Sequence, residues 1–378
     1  MATSRITRHF ATIQDGRWGA RQVHYRRTGK GPVLILLHQS PLSSRDMVAT
    51  IERWKQHFTC IAPDTPGYGL SDPLGVRNAD MDDFADAVVE FMDAIGVQKA
   101  AVYGFHTGAM ISIALAQNHP QRVSCAAANG YVVQTEQERE DVVANYLPPL
   151  APSWDGAHLT WLWARLREQT IFYPWYKKTL AERLDFDVPT PEVLQEALLD
   201  FMRSGDHYRV GYRAAFTMRS DESPANIRVP TLITASKFDP LSQQMSRITR
   251  KSASVTLQVC ADGDATLDLC RDFIRKHRPP TASDKRAPTA PLRGRMWQQY
   301  IDVPGGQLRI RRNLDIAFGP DVATDVLPEA QQQELRDRTA LARLGEPEDI
   351  AGPVEFLCSE RSAFVTGTVV MVDGGLNL

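Results

Sequence analysis

Apolar and polar positions alternate along residues 10–28 (FATIQDGRWGARQVHYRRT), with glycines near the middle, which predicts two short strands around a turn. Val33-Leu34-Ile35-Leu36-Leu37 is a continuous apolar run too short for a buried helix and without a polar face. It predicts a central strand covered on both sides. The polar loop HQSPLSS follows, then a helix over 46–57, then a second buried strand from Phe58 to Ala62. Residues 81–95 carry apolar positions at helical spacing. Ala100 to Tyr103 predicts a strand, and Met110 to Gln117 a helix stopped at His119-Pro120. Strands and helices alternating over short connections predict an α/β class with a mostly parallel sheet flanked by helices.

Residues 131–220 break this rhythm. They are helix-rich and hold Trp154, Trp161, Trp163 and Trp175, so they predict a helical insertion, or cap, rather than more sheet. Val229 to Ala235 and Ser254 to Val259 restore buried strands, and 265–277 predicts a closing helix. Residues 278–295 are rich in Pro, Ala, Thr and charge, the composition of a linker. The expected organisation is a domain over 1–277, a linker over 278–307 and a small separate segment over 308–378.

Composition narrows the partners. With 43% hydrophobic and 23% charged residues among 378, a core of useful size can be buried. A formal net charge of −2 gives no bulk attraction for nucleic acid or an anionic membrane. Arg309, Arg311 and Arg312 form a basic cluster too short to change that. Cys60, Cys125, Cys260, Cys270 and Cys358 have no zinc or redox-pair spacing, so reduced thiols in a cytoplasmic protein are expected. No apolar run is long enough to span a membrane.

The chemistry concentrates at Gly104-Phe105-His106-Thr107-Gly108, where a predicted strand ends and a helix begins. Two glycines at this spacing permit the strained turn of a nucleophile elbow, which lifts its middle side chain over the sheet edge. Other segments agree with that context: His38-Gln39-Ser40-Pro41 after the first buried strand, the loop from Asp64 to Asp72 (DTPGYGLSD), and Ser236-Lys237-Phe238-Asp239 after a later strand. On these motifs residues 10–277 resemble the α/β-hydrolase superfamily. The resemblance implies an α/β-hydrolase fold with a helical cap, an oxyanion hole from the amides of Ser40 and Thr107, and an acid at Asp239. It also implies a pocket walled by His38, Gln39 and Phe105 and roofed by Trp161, Trp175 and Tyr176, although packing between cap helices explains those aromatics equally. A small-molecule substrate is expected, with no metal or organic cofactor, no nucleic acid and no membrane partner; a homo-oligomer is left open.

The departures are as informative. The family places serine at the elbow and a late histidine after the last strand, whereas this chain has His106 at the first position and Asp262-Gly263-Asp264 at the second. His277 lies at the far end of the closing helix, where a surface role is expected. Three readings of His106 stay open: a catalytic base or nucleophile oriented by Asp239 or Asp264, a ligand-binding group in a protein without catalysis, or an incidental change. The first implies a hydrolase acting on an ester-, lactone- or activated carbon–carbon bond of a small hydrophobic substrate.

The last segment has a different likeness. Arg343-Leu-Gly-Glu-Pro-Glu-Asp-Ile-Ala351, Phe364-Val-Thr-Gly367 and Val372-Asp-Gly-Gly375 resemble the C-terminal part of short-chain dehydrogenase/reductases. No glycine-rich dinucleotide loop accompanies it. Tyr173 and Lys177 have the family's Y-x-x-x-K spacing but precede the segment, the wrong order. The segment reads as a fusion remnant, with NAD(P)-linked reduction as a weaker alternative function.

Overall fold

The apolar run at Val33–Leu37 is sorted by its own pleat. The computed structural model describes residues 5–277, 279–281, 289–292, 295–303, 306–312, 329–338 and the single positions 341, 343, 349, 352, 353 and 356. The strands β1 (Thr7–Ile13), β2 (Arg21–Thr28), β3 (Val33–Leu37), β4 (Thr59–Pro63), β5 (Ala100–Phe105), β6 (Val123–Asn129), β7 (Thr231–Ser236) and β8 (Val255–Cys260) form an 8-stranded sheet. Their order is β1-β2-β4-β3-β5-β6-β7-β8. β1 pairs β2 and β2 pairs β4 antiparallel, and all later neighbours are parallel. Val33, Ile35 and Leu37 join one core cluster with Ile61, Val102, Ala126 and Ile233. Leu34 and Leu36 join the other with Cys60, Ala62, Ala101, Tyr103 and Ala127. The run lacks a polar face because both faces of the strand are buried.

The helices of this unit are α1 (Val48–Trp54), α2 (Met81–Ala94), α3 (Thr107–Asn118), α4 (Glu136–Asn145), α5 (Ala157–Gln169), α6 (Pro191–Ser204), α7 (Tyr208–Thr217) and α8 (Gly263–Lys276). α2 and α3 cover the first sheet face, and α1 and α8 the second. α2 starts at a capping box, Asp80 with Asp83, and α4 at another, Thr135 with Glu138. α3 is buried from Thr107 through Ala116, which explains why it is apolar or small on every side.

β6 is not marked by the sequence pattern. Its stretch Val-Ser-Cys-Ala-Ala-Ala-Asn contains three alanines, whose intrinsic preference is helical. Pairing with β5 and β7 imposes the strand, and Ala126, Ala127 and Ala128, each 0% exposed, let helices approach both faces.

Between β6 and β7, α4 to α7 occupy the expected insertion. They have a core of their own, including Tyr146, Leu162, Leu166, Trp175, Phe201, Tyr208, Tyr212 and Phe216, and this core takes in Tyr68 from the loop after β4.

The expected linker over 278–307 needs correction. Val33 N–H donates to Pro280 O, and Thr281 bridges Pro32. Thr289 Oγ1 donates to Phe10 O, and Thr12 Oγ1 to Ala290 O. Residues 280–281 therefore meet the start of β3, inside the sheet, and residues 289–290 bond along the edge strand β1. The chain divides into two compact units at Ala290/Pro291, not near 277. In the second unit β9 (Trp297–Val303) and β10 (Gly306–Arg312) form an antiparallel hairpin that starts inside the supposed linker, and α9 spans Glu329–Arg338. Leu308-Arg309-Ile310-Arg311 carries the alternation of that hairpin, so its arginines belong to a strand. Of the reductase-like segment, residues 344–348, 350, 351 and 357–378, which hold nearly all of its motif, lie outside the described residues. Among the described residues no helix is long and apolar enough to cross a membrane.

Ala127→Leu should lower the unfolding free energy by about 1–3 kcal/mol, because β6 has no room for extra volume; urea denaturation measures it.

Candidate active site

Parallel pairing brings distant residues to one edge. Leu37 lies beside Gly104, Phe105 beside Asn129, Asn129 beside Thr234, and Ser236 beside Cys260. The loops that follow β3, β5, β6 and β7 therefore leave the sheet side by side, at the carboxyl ends where such sheets bind ligands.

His106 connects β5 to α3 with φ 48° and ψ −108°, and among the described residues it alone combines a side chain with positive φ. Its N–H donates to Asn129 O at 2.9 Å, and its carbonyl accepts from Met110 N–H at 3.1 Å. A Cβ at Gly104 would collide with the Gly108 carbonyl, and one at Gly108 with the carbonyl of Leu37. The two glycines are thus required by the close passage of β3, β5 and α3. Gly130, φ +72°, lies against the imidazole itself: a Cβ there would strike His106 Cδ2 and Nε2 and crowd Asp239 Oδ2.

The imidazole is held at both nitrogens. Nε2 is 2.8 Å from Asp239 Oδ2, and Nδ1 is 3.1 Å from Gln39 Oε1. Gln39 Nε2 donates to Asp46 Oδ1 at 3.3 Å, which sets the amide with its oxygen toward His106. The ring stacks on Phe105 with centroids 4.0 Å apart. Both ring nitrogens meet acceptors, an arrangement suited to the doubly protonated ring. Burial opposes that charge, but the Asp239 carboxylate and its hydrogen bond outweigh burial and raise the His106 pKa above the ordinary 6.5. Burial likewise opposes ionisation of Asp239, and His106 with the Leu241 N–H overcomes it, so the Asp239 pKa is lowered. Asp46 moves the other way, since burial raises its pKa.

The oxyanion candidates are adjacent. Ser40 N–H donates to Thr107 Oγ1 at 3.3 Å, so that amide already has a partner. Thr107 opens α3, where the first amides have no partner within the helix. Tyr212 fixes Ser40 by donating to its carbonyl at 2.7 Å.

Several expected residues are placed elsewhere. Asp264 is a correction: its carboxylate is 82% exposed and pairs with Arg53, because it sits in the first turn of α8 rather than over the sheet edge. Asp262 caps that helix by accepting Ala265 N–H. His38, expected to wall the pocket, is 1% exposed; its Nε2 accepts Thr65 N–H and its Nδ1 donates to Gln39 O. It secures the loop from behind. Trp161, Trp175 and Tyr176 pack within the insertion, with Trp175 Nε1 donating to Tyr146 O and Tyr176 donating to Asp141. His158 binds Ser153 at the surface, and His277 packs on Phe273. Asp46, Gly130 and Tyr212 carried no sequence signal as site residues. Tyr173, one of the cap aromatics, is partly buried and packs against the cores of both the sheet and the insertion. Among the described residues no group of His, Cys, Asp or Glu could hold a metal ion.

Residues 32–264 match the family model described as alpha/beta hydrolase fold. The chain belongs to the alpha/beta hydrolase fold family. Residues 320–377 match a second model, described as Enoyl-(Acyl carrier protein) reductase. Haloalkane dehalogenase 2 of Mycobacterium bovis is 31% identical over 115 residues, 29% of this chain and 39% of that protein. L-rhamnose 1-dehydrogenase (NAD(P)(+)) of Azotobacter vinelandii is 35% identical over 99 residues, 22% of this chain and 39% of that protein. The chain thus spans well under half the length of each of these curated relatives. A thermophilic esterase from Thermogutta terrifontis superposes with TM-score 0.54 at 18% identity, covering 71% of this chain and 99% of the esterase, which is a likeness of fold.

The raised imidazole pKa contributes stability that is complete below the unfolded value near 6.5 and fades as pH rises through the folded one. The lowered Asp239 pKa contributes above the unfolded carboxylate range and fades as pH falls. Asp239→Asn should therefore cost about 1–2 kcal/mol near pH ~5.5 and less as the medium becomes alkaline, measured by urea unfolding across pH. NMR titration of His106 in that variant should show its pKa falling toward or below 6.5. Gly130→Ala should separate the pair and produce a similar NMR shift.

Proposed function

We propose that the chain is a hydrolase that uses His106 as a general base on water, attacking an ester-, lactone- or activated carbon–carbon bond of a small hydrophobic substrate. The observation that carries this reading is the direct bond from His106 Nε2 to Asp239 at a strained elbow. In a Ser-His-Asp triad the acid orients a histidine that then activates the serine. Here the histidine stands at the serine's position and the acid meets it without an intermediary. With Asp239 holding Nε2, Nδ1 is the edge left to act on substrate.

Gln39 faces that edge in the resting arrangement, so its amide moves aside when substrate binds. Neutral His106 then takes a proton at Nδ1 from water, whose oxygen bonds to the carbonyl carbon. The oxyanion forms beside the Thr107 amide at the start of α3, where the helix dipole favours negative charge. When the tetrahedral species collapses, the leaving group departs with the proton held on Nδ1.

A second reading has its own support. Both ring nitrogens are occupied by acceptors, which suits a charged, non-catalytic elbow in a ligand-binding protein.

Nitrophenyl esters and lactones assayed with wild type and His106→Ala separate the two. Catalysis predicts a kcat/KM that rises with pH through a value above 6.5, since the base form is required and its pKa is raised. It also predicts a loss of about a hundredfold or more in His106→Ala. Asp239→Asn should slow the reaction and move the profile toward acid. Equal turnover in wild type and His106→Ala, or none above buffer, removes the catalytic reading.

A further inference from the structure

Arg165 is the unexplained charge of this structure. It lies on α5 in the insertion core with 1% exposure. Among the described residues it forms no ion pair; Gln169 Oε1 accepts from Nη1 at 2.9 Å, and the Tyr212 hydroxyl also lies within its hydrogen-bonding reach. Its Nε and Nη2 are buried without a partner. Four rings surround the guanidinium: Tyr146, Trp175, Phe201 and Tyr208, with centroids 5.5, 5.0, 5.0 and 5.7 Å from Cζ. Those rings attract the cation but satisfy neither N–H. A buried cation is usually paired or fully hydrogen-bonded, and this one keeps one edge of its fork unmatched.

That fork is connected to the site. Gln169 Nε2 donates to Tyr212 Oη at 3.4 Å, and Tyr212 donates to the Ser40 carbonyl at 2.7 Å. The Tyr146 ring, which packs on Arg165, lies 5.4 Å from the Tyr212 ring, and Tyr173 packs against the cores of both the sheet and the insertion. Burial raises the pKa of these phenols and keeps them neutral, so none serves as a counterion. Gln169 and Tyr212 thus join the guanidinium to Ser40, the neighbour of the Gln39 that meets His106. The other buried arginine of this unit with unmatched nitrogens and a cation–π ring, Arg21, has Glu90 at 2.6 Å. Among the described residues Arg165 has no such carboxylate.

We infer that Arg165 is a substrate-recognition residue: the ligand of this site carries a carboxylate that pairs with the unmatched Nε/Nη2 edge, its hydrophobic body lying among the aromatic rings. The planar fork and the planar carboxylate match in two parallel hydrogen bonds. The inference rests on the hydrolase reading only for the fate of the bound molecule; recognition of the anion stands without turnover.

Calorimetry of the full chain with benzoate and with benzamide, its neutral counterpart, tests this. Benzoate should bind wild type at least about tenfold more tightly than benzamide, the effect of one charged hydrogen-bonded contact. Arg165→Met should abolish the preference, and Arg165→Lys, which keeps the charge but not the fork, should retain part of it. Circular dichroism shows whether each variant is folded. Equal wild-type affinity for the two probes, or binding of neither, overturns the inference even if neither variant folds. An unchanged preference in folded Arg165→Met overturns it too and leaves Arg165 as a packing element. Ester turnover is read in parallel. Benzoate preference without turnover sinks the hydrolase reading alone, and turnover without preference sinks only this one.

Discussion

The backbone at His106 occupies a conformation that side chains rarely adopt, and the site depends on its being held there. Positive φ at a residue with a Cβ costs on the order of 1–3 kcal/mol unless the surroundings enforce it. Here β5 ends, the chain reverses within one residue and α3 begins. Pairing to Asn129 on one side and the first turn of α3 on the other fix the reversal. Gly104 and Gly108 remove the side chains that would obstruct it, and Gly130 clears the space the ring enters. Through this strain the side chain that follows β5 reaches over the sheet edge toward the loops after β3 and β7.

The charges follow from that placement. An imidazole lifted to the sheet edge meets the carboxylate after β7, and the attraction raises one pKa while lowering the other. Gln39, held by His38 and aimed by Asp46, places a carbonyl oxygen at the second nitrogen. The resting site is therefore an ion pair closed by an amide. A Ser-His-Asp triad leaves one imidazole nitrogen turned toward its serine, whereas here the second nitrogen faces the Gln39 amide oxygen. The His106 pKa is a balance in which burial opposes the charge and Asp239 outweighs it.

The insertion follows a different physics from the sheet beneath it. Its core is built around aromatic rings and a buried guanidinium rather than aliphatic layers. Tyrosines link the two regions, since Tyr68 and Tyr212 both bond to Ser40 while packing in the insertion core. Movement of the insertion would therefore act on the loop that carries Gln39 and Ser40.

Much of this was legible in the sequence because it is local. The apolar runs of β3, β4 and β7, the spacing in α2 and the Gly-x-His-x-Gly turn each express a short-range requirement, and they marked the sheet, its layers and the elbow. Asp239 was legible as a strand-end acid. Other features depend on contacts between distant segments. β6 is a strand because β5 and β7 flank it, whereas its alanines favour helix by themselves. The bonds of residues 280–281 and 289–290 to the sheet, and the hairpin that follows, were hidden behind the proline-rich composition of the supposed linker. Asp264 and Asp239 look alike as acids after a strand, yet one lies in an exposed helix turn and the other against the ring. The partners of His106, and the absence of a carboxylate for Arg165 among the described residues, were decided only when the chain closed. Charge pairing depends on distances through space, and sequence spacing determines those distances only within a single helix or strand.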